Sequence, residues 1–220
     1  MPSLTVENYV KTIYQISSEA DGAPAATGKI AQALGVSPGT VTSMLKTLSE
    51  GALATYTPYG GVKLTGAGEA LAMRVVRRHR LIELFLVNTL NLSWDEVHEE
   101  AEHMEHAVSD RLIDRIEQSL GYPEVDPHGD PIPKADGSVR HASGRRLSAC
   151  SDGDSFRLAR VKDQSTEFLR YLSDNGLSLG ARGRVVSNSD EAGVVTISVD
   201  GAETTLGLDA AAKILVTAED

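Results

Sequence analysis

The stretch Thr27-Gly-Lys-Ile-Ala-Gln-Ala-Leu-Gly-Val-Ser-Pro-Gly-Thr-Val-Thr-Ser-Met-Leu-Lys-Thr-Leu-Ser-Glu-Gly51 decides the fold at the start of this 220-residue chain. Ile30, Ala31 and Leu34 recur at helical spacing, with Thr27 placed to cap their helix and Gly35 to end it. Ser37-Pro38 then joins an N-cap hydroxyl to proline at the first helical position. Val41, Leu45 and Leu48 form the apolar face of a further helix that stops at Gly51. Helix, short glycine-containing turn, helix is the layout of a helix-turn-helix.

Working outward, Leu4, Tyr9, Ile13 and Ile16 mark an amphipathic helix that ends in the Asp21-Gly22 turn. On the other side, residues 53–64 hold two short β-prone runs around Tyr59-Gly60-Gly61, a hairpin of the wing kind. Thr65 precedes a helix carrying Leu71, Val75, Leu81, Ile82, Phe85 and Leu86, with Arg74, Arg77, Arg78 and Arg80 clustered on it. A second long helix opens with the capping box Ser93 and Glu96 and is expected to run through Leu112 and Ile116 toward Gly121-Tyr122-Pro123. Residues 123–144, rich in Pro, Gly, Asp and Ser, read as a linker. Strands are predicted at Phe156–Val161 and Arg184–Val186, a hairpin at Val194–Val199 and Thr204–Leu206 around Asp200-Gly201, and a short helix at Ser165–Leu172. The class is therefore α+β, with domains expected at 1–73, 74–140 and 141–220, the last a small β-barrel-like module.

Composition constrains the function. The net charge of −10 argues against a nucleic-acid partner for the chain as a whole, but its distribution is uneven. Residues 1–80 carry 8 Lys/Arg against 5 Asp/Glu, residues 81–140 carry 4 against 14, and residues 141–220 carry 9 against 12. A basic head is followed by a strongly acidic middle. The single cysteine, Cys150, rules out an intrachain disulfide and a multi-cysteine metal site. No apolar run approaches bilayer length and the N-terminus lacks a signal-peptide layout, so a cytoplasmic protein without a membrane partner is expected.

The chemistry concentrates in Val97-His-Glu-Glu-Ala-Glu-His-Met-Glu-His-Ala-Val-Ser-Asp110. On one continuous helix, His98, Glu102, Glu105 and His106 would line one side, and His79 and Glu83 form an i, i+4 pair on the helix before. Imidazole and carboxylate donors together suit Mn²⁺, Fe²⁺, Co²⁺, Ni²⁺ or Zn²⁺, whereas a glutamate-rich helix without a metal is a solvated face. The position four after His98 is Glu102, so the zinc-peptidase pattern fails, and a second Glu-x-x-His for a di-iron bundle is missing. No nucleophile elbow or phosphate-binding loop is present, and no enzyme or small-molecule substrate is expected. For DNA, the helix start Ser37, Pro38, Gly39, Thr40, Thr42 and Ser43 offers small hydroxyls, methyls and close backbone approach to base edges. Lys29, Lys46 and Lys63 would meet phosphates, while a trihelical bundle with a wing can instead serve protein contacts.

The order of these parts, with His79-x-x-x-Glu83, the Val97–Asp110 block and Gly129-Asp-Pro-Ile-Pro133, resembles the diphtheria toxin repressor family over the whole chain. The resemblance implies a homodimeric, metal-activated repressor of double-stranded DNA operators, with an SH3-like C-terminal domain and two metal sites per subunit. It implies a primary site of Asn8, Glu102, Glu105 and His106. An ancillary site would use His79, Glu83 and His98, with Gln164 and Glu167 lent by the SH3-like domain. Iron-responsive members place cysteine where this chain has Glu102, and manganese-responsive members place glutamate there. Mn²⁺ is therefore the expected ion and Fe²⁺ the alternative. Asn8 stands where the iron type has Met and the manganese type Asp. The rival of another class is a metal-buffering protein or metal-dependent enzyme whose N-terminal bundle binds protein.

Overall fold

The computed structural model describes residues 3–140 and 144–219. Residues 141–143, which belong to the predicted linker, and the first two and last residues lie outside the described part. The chain divides into two compact units. One takes residues up to His79 together with Met104–Val108 and Pro133–Ser138; the other takes Arg80–His103, Ser109–Ile132 and Val139 onward.

The first unit is a winged helix-turn-helix. Helix α1 (Leu4–Glu19) starts at Ser3, whose hydroxyl accepts from Val6 N at 3.4 Å. Helix α2 (Thr27–Leu34) has Ala26 rather than Thr27 at its N-cap, so Thr27 is the first helical residue. It closes on Gly35 in the left-handed region, φ 63°. Helix α3 (Pro38–Glu50) begins at Ser37, whose Oγ accepts from Thr40 N at 3.2 Å. Val10, Ile13, Ile30, Val41, Leu45, Leu48 and Val62 are fully buried and form the core. The wing is β1 (Ala54–Thr57) paired antiparallel with β2 (Gly61–Leu64), and Ala25 bridges to Val62 as a third rung. Gly61 is required at this crossing: its φ is 86°, and a Cβ there would lie 2.8 Å from Ala25 O. Helix α4 (Gly66–Leu90) is capped by Thr65, whose Oγ1 accepts from Gly68 N at 3.2 Å.

The expected second long helix is two helices, α5 (Val97–Met104) and α6 (Asp110–Ser119). The Ser93 and Glu96 capping box forms, with Ser93 N donating to Glu96 Oε2 at 3.2 Å. Glu105–Val108 then leave the helix because Ser109 caps a new one, its hydroxyl accepting from Leu112 N at 3.3 Å. His98 and Glu102 therefore lie on α5, while Glu105 and His106 follow it in a turn rather than on one continuous helix.

In the second unit, an antiparallel sheet runs β3-β8-β4-β5-β6-β7. Its strands are β3 (Arg145–Arg146), β4 (Ser155–Val161), β5 (Arg182–Ser189), β6 (Val194–Val199), β7 (Ala202–Gly207) and β8 (Ile214–Ala218), with α7 (Thr166–Asp174) and α8 (Leu208–Ala211) between strands. Asp200 and Gly201, at φ 49° and 83°, make the hairpin turn between β6 and β7. Phe156, Leu158, Leu169, Leu172, Val185, Ile197 and Val216 fill the core. The predicted linker is not a solvated spacer, because Asp126–Asp130 are buried.

Candidate metal centres

In the first unit, α1 places Glu7, Asn8 and Lys11 within one helical turn, α4 contributes His79, and the break after α5 contributes Glu105 and His106. Glu105 is fully buried. His79 Nδ1 lies 2.6 Å from Glu105 Oε2. The Lys11 ammonium is 2.8 and 3.0 Å from the two Glu105 carboxylate oxygens and 3.1 Å from His79 Nδ1. Glu7 accepts from His106 Nδ1 at 2.7 Å, and Arg78 approaches Glu7 at 3.9 Å. On its other side the ring places Nε2 3.2 Å from Glu105 Oε1. His106 Nε2 and Asn8 Oδ1 are both buried without a hydrogen-bond partner among the described residues. An orphaned amide oxygen beside a buried carboxylate and imidazole fits a cation, since unmet buried polar atoms are costly and a metal satisfies them.

The second unit repeats this design with different residues. Ligand atoms of Glu83, Asp126 and His128 lie within 4.8 Å of one another, and all three side chains are buried. His128 Nε2 donates to the Trp94 carbonyl at 2.8 Å, so its other nitrogen carries the lone pair. His128 Nδ1 has no hydrogen-bond partner among the described residues and stands 3.9 Å from Glu83 Oε2 and 3.8 Å from Asp126 Oδ1. Burial pushes the Asp126 carboxyl well above the usual range; the charges of Asp130 and Glu83 add to this and Arg80 opposes it. The loop is held from two sides. Asp126 Oδ1 accepts from His128 N and Asp130 N at 2.8 and 2.9 Å. Val161 N of β4 donates to the His128 carbonyl at 2.8 Å. Gly129, at φ 87°, sits so close to β4 that a Cβ would fall 2.1 Å from Ala159 O. Asp130 is paired with Arg80 at 3.2 Å and with Arg160.

Of the residues expected from the sequence, His79 contacts Glu105 at 2.6 Å. Glu83 keeps His98 at 3.3 Å, and His98 Nε2 is 3.8 Å from Glu102, both on the same unit. Gln164 spends its amide on Asp130 Oδ2 at 3.1 Å, and Glu167 is exposed on α7. Of the DNA set, Lys29, Ser37, Pro38, Gly39, Thr40, Ser43, Lys46 and Lys63 are exposed and Thr42 is half-buried. Three hydroxyls are engaged at home: Ser37 caps α3, Thr40 Oγ1 shares a hydrogen bond with Ser37 Oγ at 2.9 Å, and Thr42 Oγ1 donates to Pro38 O at 2.9 Å.

Comparison with known proteins covers all three segments. Residues 1–62 match the DNA-binding domain of iron dependent repressors, 65–134 their metal binding and dimerisation domain, and 145–218 the FeoA domain. The chain is 32% identical over 213 residues to the iron-dependent repressor IdeR of Mycobacterium leprae, with 90% of each protein covered. It belongs to the diphtheria toxin repressor family. Among solved family structures, a manganese-dependent transcriptional repressor in complex with manganese aligns with TM-score 0.85 at 43% identity, over 97% of this chain and 100% of that one. The manganese regulator SloR aligns with TM-score 0.77 at 34% identity, over 97% and 98%. The diphtheria toxin repressor family consists of transcriptional repressors and not enzymes, and no helix among the described residues is long and apolar enough to cross a membrane.

Four residues at these centres lay outside the sequence expectation: Glu7, Lys11, Asp126 and His128. Glu7 and Lys11 are charged positions on the buried side of α1, an anomaly that periodicity exposes once Tyr9, Val10 and Ile13 are set as the core face. For Asp126 and His128, the Pro- and Gly-rich composition masks a buried loop.

Proposed function

We propose that this chain is a cytoplasmic, homodimeric, Mn²⁺-activated transcriptional repressor of metal-homeostasis genes that binds palindromic operators. In this reading, residues 1–73 bind DNA, 74–140 dimerise and hold metal, and 141–220 form the SH3-like domain. Asn8, Glu105 and His106, with Glu102 and His79, would hold one ion; Glu83, Asp126 and His128, with His98, would hold a second. Gln164, whose amide nitrogen donates to Asp130, and Glu167 would be lent to the second ion by the SH3-like domain.

The observation that carries the metal choice is the donor set. Every candidate offers a carboxylate or amide oxygen or an imidazole nitrogen. Cys150 is buried and directs its Sγ toward Arg146 O at 3.6 Å. Hard oxygen and borderline nitrogen donors suit Mn²⁺. Activation requires that Asn8, Glu105 and His106 hold the ion better in the DNA-competent arrangement than in any other. Two recognition helices α3 set about one helical turn of DNA apart could then engage both half-sites.

The test is a mobility-shift titration of a palindromic promoter fragment against Mn²⁺ and anaerobic Fe²⁺. Half-maximal shift is expected at lower free Mn²⁺ than Fe²⁺, with loss of the complex in chelator. The reverse order would establish the iron reading, which the likeness to iron-dependent relatives supports. Binding that chelator leaves unchanged would refute metal activation.

A further inference from the structure

We propose that Lys11 is a tethered cation that competes with the divalent ion for Glu105 and His79 and so sets how tightly this centre takes metal. The inference rests on the reading above that the cluster binds metal. Lysine is almost never buried unless paired, yet the Lys11 side chain is only 5% exposed and points into the ligand cluster. Its ammonium reaches both oxygens of a fully buried carboxylate and a ring nitrogen, all at 3.1 Å or less. The carboxylate oxygens are donors that a divalent ion would use.

An ammonium and a divalent ion cannot share such donors at contact distance, because like charges in a poorly screened interior repel strongly. Glu105 and His79 are therefore available to a metal only when the Lys11 head withdraws. Its long flexible stem permits that without unwinding α1. In the metal-free protein the same ammonium neutralises Glu105 and holds α1, α4 and the break after α5 together. Lys11 thus trades metal affinity for an assembled metal-free site.

The experiment compares full-length wild type with Lys11→Met, Lys11→Gln and Lys11→Arg, each in an Asp126→Asn background that weakens the other centre. Mn²⁺ alone is titrated by calorimetry, and melting temperatures are taken with and without chelator. Lys11→Met and Lys11→Gln should bind Mn²⁺ at least tenfold tighter than the parent. They should melt lower in chelator, because Glu105 loses its counter-charge, and gain more on adding Mn²⁺. Lys11→Arg, which keeps the charge, should not tighten binding. A variant that folds only with Mn²⁺ present also supports the proposal. Unchanged or weaker Mn²⁺ binding in folded Lys11→Met and Lys11→Gln would overturn it, leaving Lys11 a structural pair for Glu105. If neither the parent nor any variant binds Mn²⁺ here, the metal reading of this cluster fails as well, and the parent titration alone reveals that.

Discussion

His106 and His128 are each anchored through one ring nitrogen, the first to the Glu7 carboxylate and the second to the Trp94 carbonyl, which turns the other nitrogen toward buried carboxylates, Glu105 at 3.2 Å and Asp126 at 3.8 Å. Anchored rings of this kind raise ligand basicity and reduce the ordering needed on binding. Asp126 bears the opposite cost, a carboxylate enclosed with Glu83 and Asp130 nearby. Its folded pKa lies above the unfolded value, so the folded state holds more protons between the two. Without metal, stability therefore falls as pH rises through that interval. Asp126→Asn keeps the Oδ1 acceptor for His128 N and Asp130 N while removing the charge. In chelator, the variant should melt at or above wild type at neutral pH and show a flatter pH profile, and its Mn²⁺ affinity should drop at least tenfold. A lower melting point in chelator would show that the buried charge is not the source of the cost. At this scale legibility follows locality. Glu105 and His106 stand out as a cluster in sequence, whereas Lys11 is 94 residues from the carboxylate it pairs with.

The α-helical elements of the first unit were readable because their signals are local: Ser37-Pro38, Gly35 and the wing turn each act within a few residues. The break between α5 and α6 was equally local, since Ser109-Asp110 is a strong N-cap, but the apolar periodicity across it hid the stop. Strand β8 and the buried loop Asp126–Asp130 were not readable. A short run such as Ile214-Leu-Val-Thr becomes a strand through pairing with β4, and the loop is buried by β4 rather than by its own composition. That packing makes a sharp demand on Gly129. Gly129→Ala would drive a Cβ into Ala159 O at a φ that L-residues avoid. The expected result is a loss of about 2–4 kcal/mol on chemical denaturation, with Mn²⁺ binding at Glu83, Asp126 and His128 reduced in the folded fraction. Wild-type stability and binding would mean that the loop does not depend on its fit to β4.

Across the whole molecule, the charge of −10 averages over two opposite tasks. The basic head carries exposed lysines at the face that α3 presents, and the acidic middle supplies carboxylates to both centres. The three-part order was legible because each part has its own periodicity; contacts between distant segments, such as Lys11 to Glu105, were not. The chain contains one tryptophan, and it stands at the second centre. Trp94 stacks on His128 with ring centroids 6.1 Å apart, lends it a carbonyl, and donates its indole N–H to Ser173 Oγ at 2.8 Å. All intrinsic tryptophan emission therefore originates beside one of the two candidate ions. Paramagnetic Mn²⁺ should quench it on filling that centre, chelator should restore it, and Asp126→Asn should require more Mn²⁺ for the same loss of light. Fluorescence would then report occupancy of one centre while calorimetry counts both, making their order of filling directly observable.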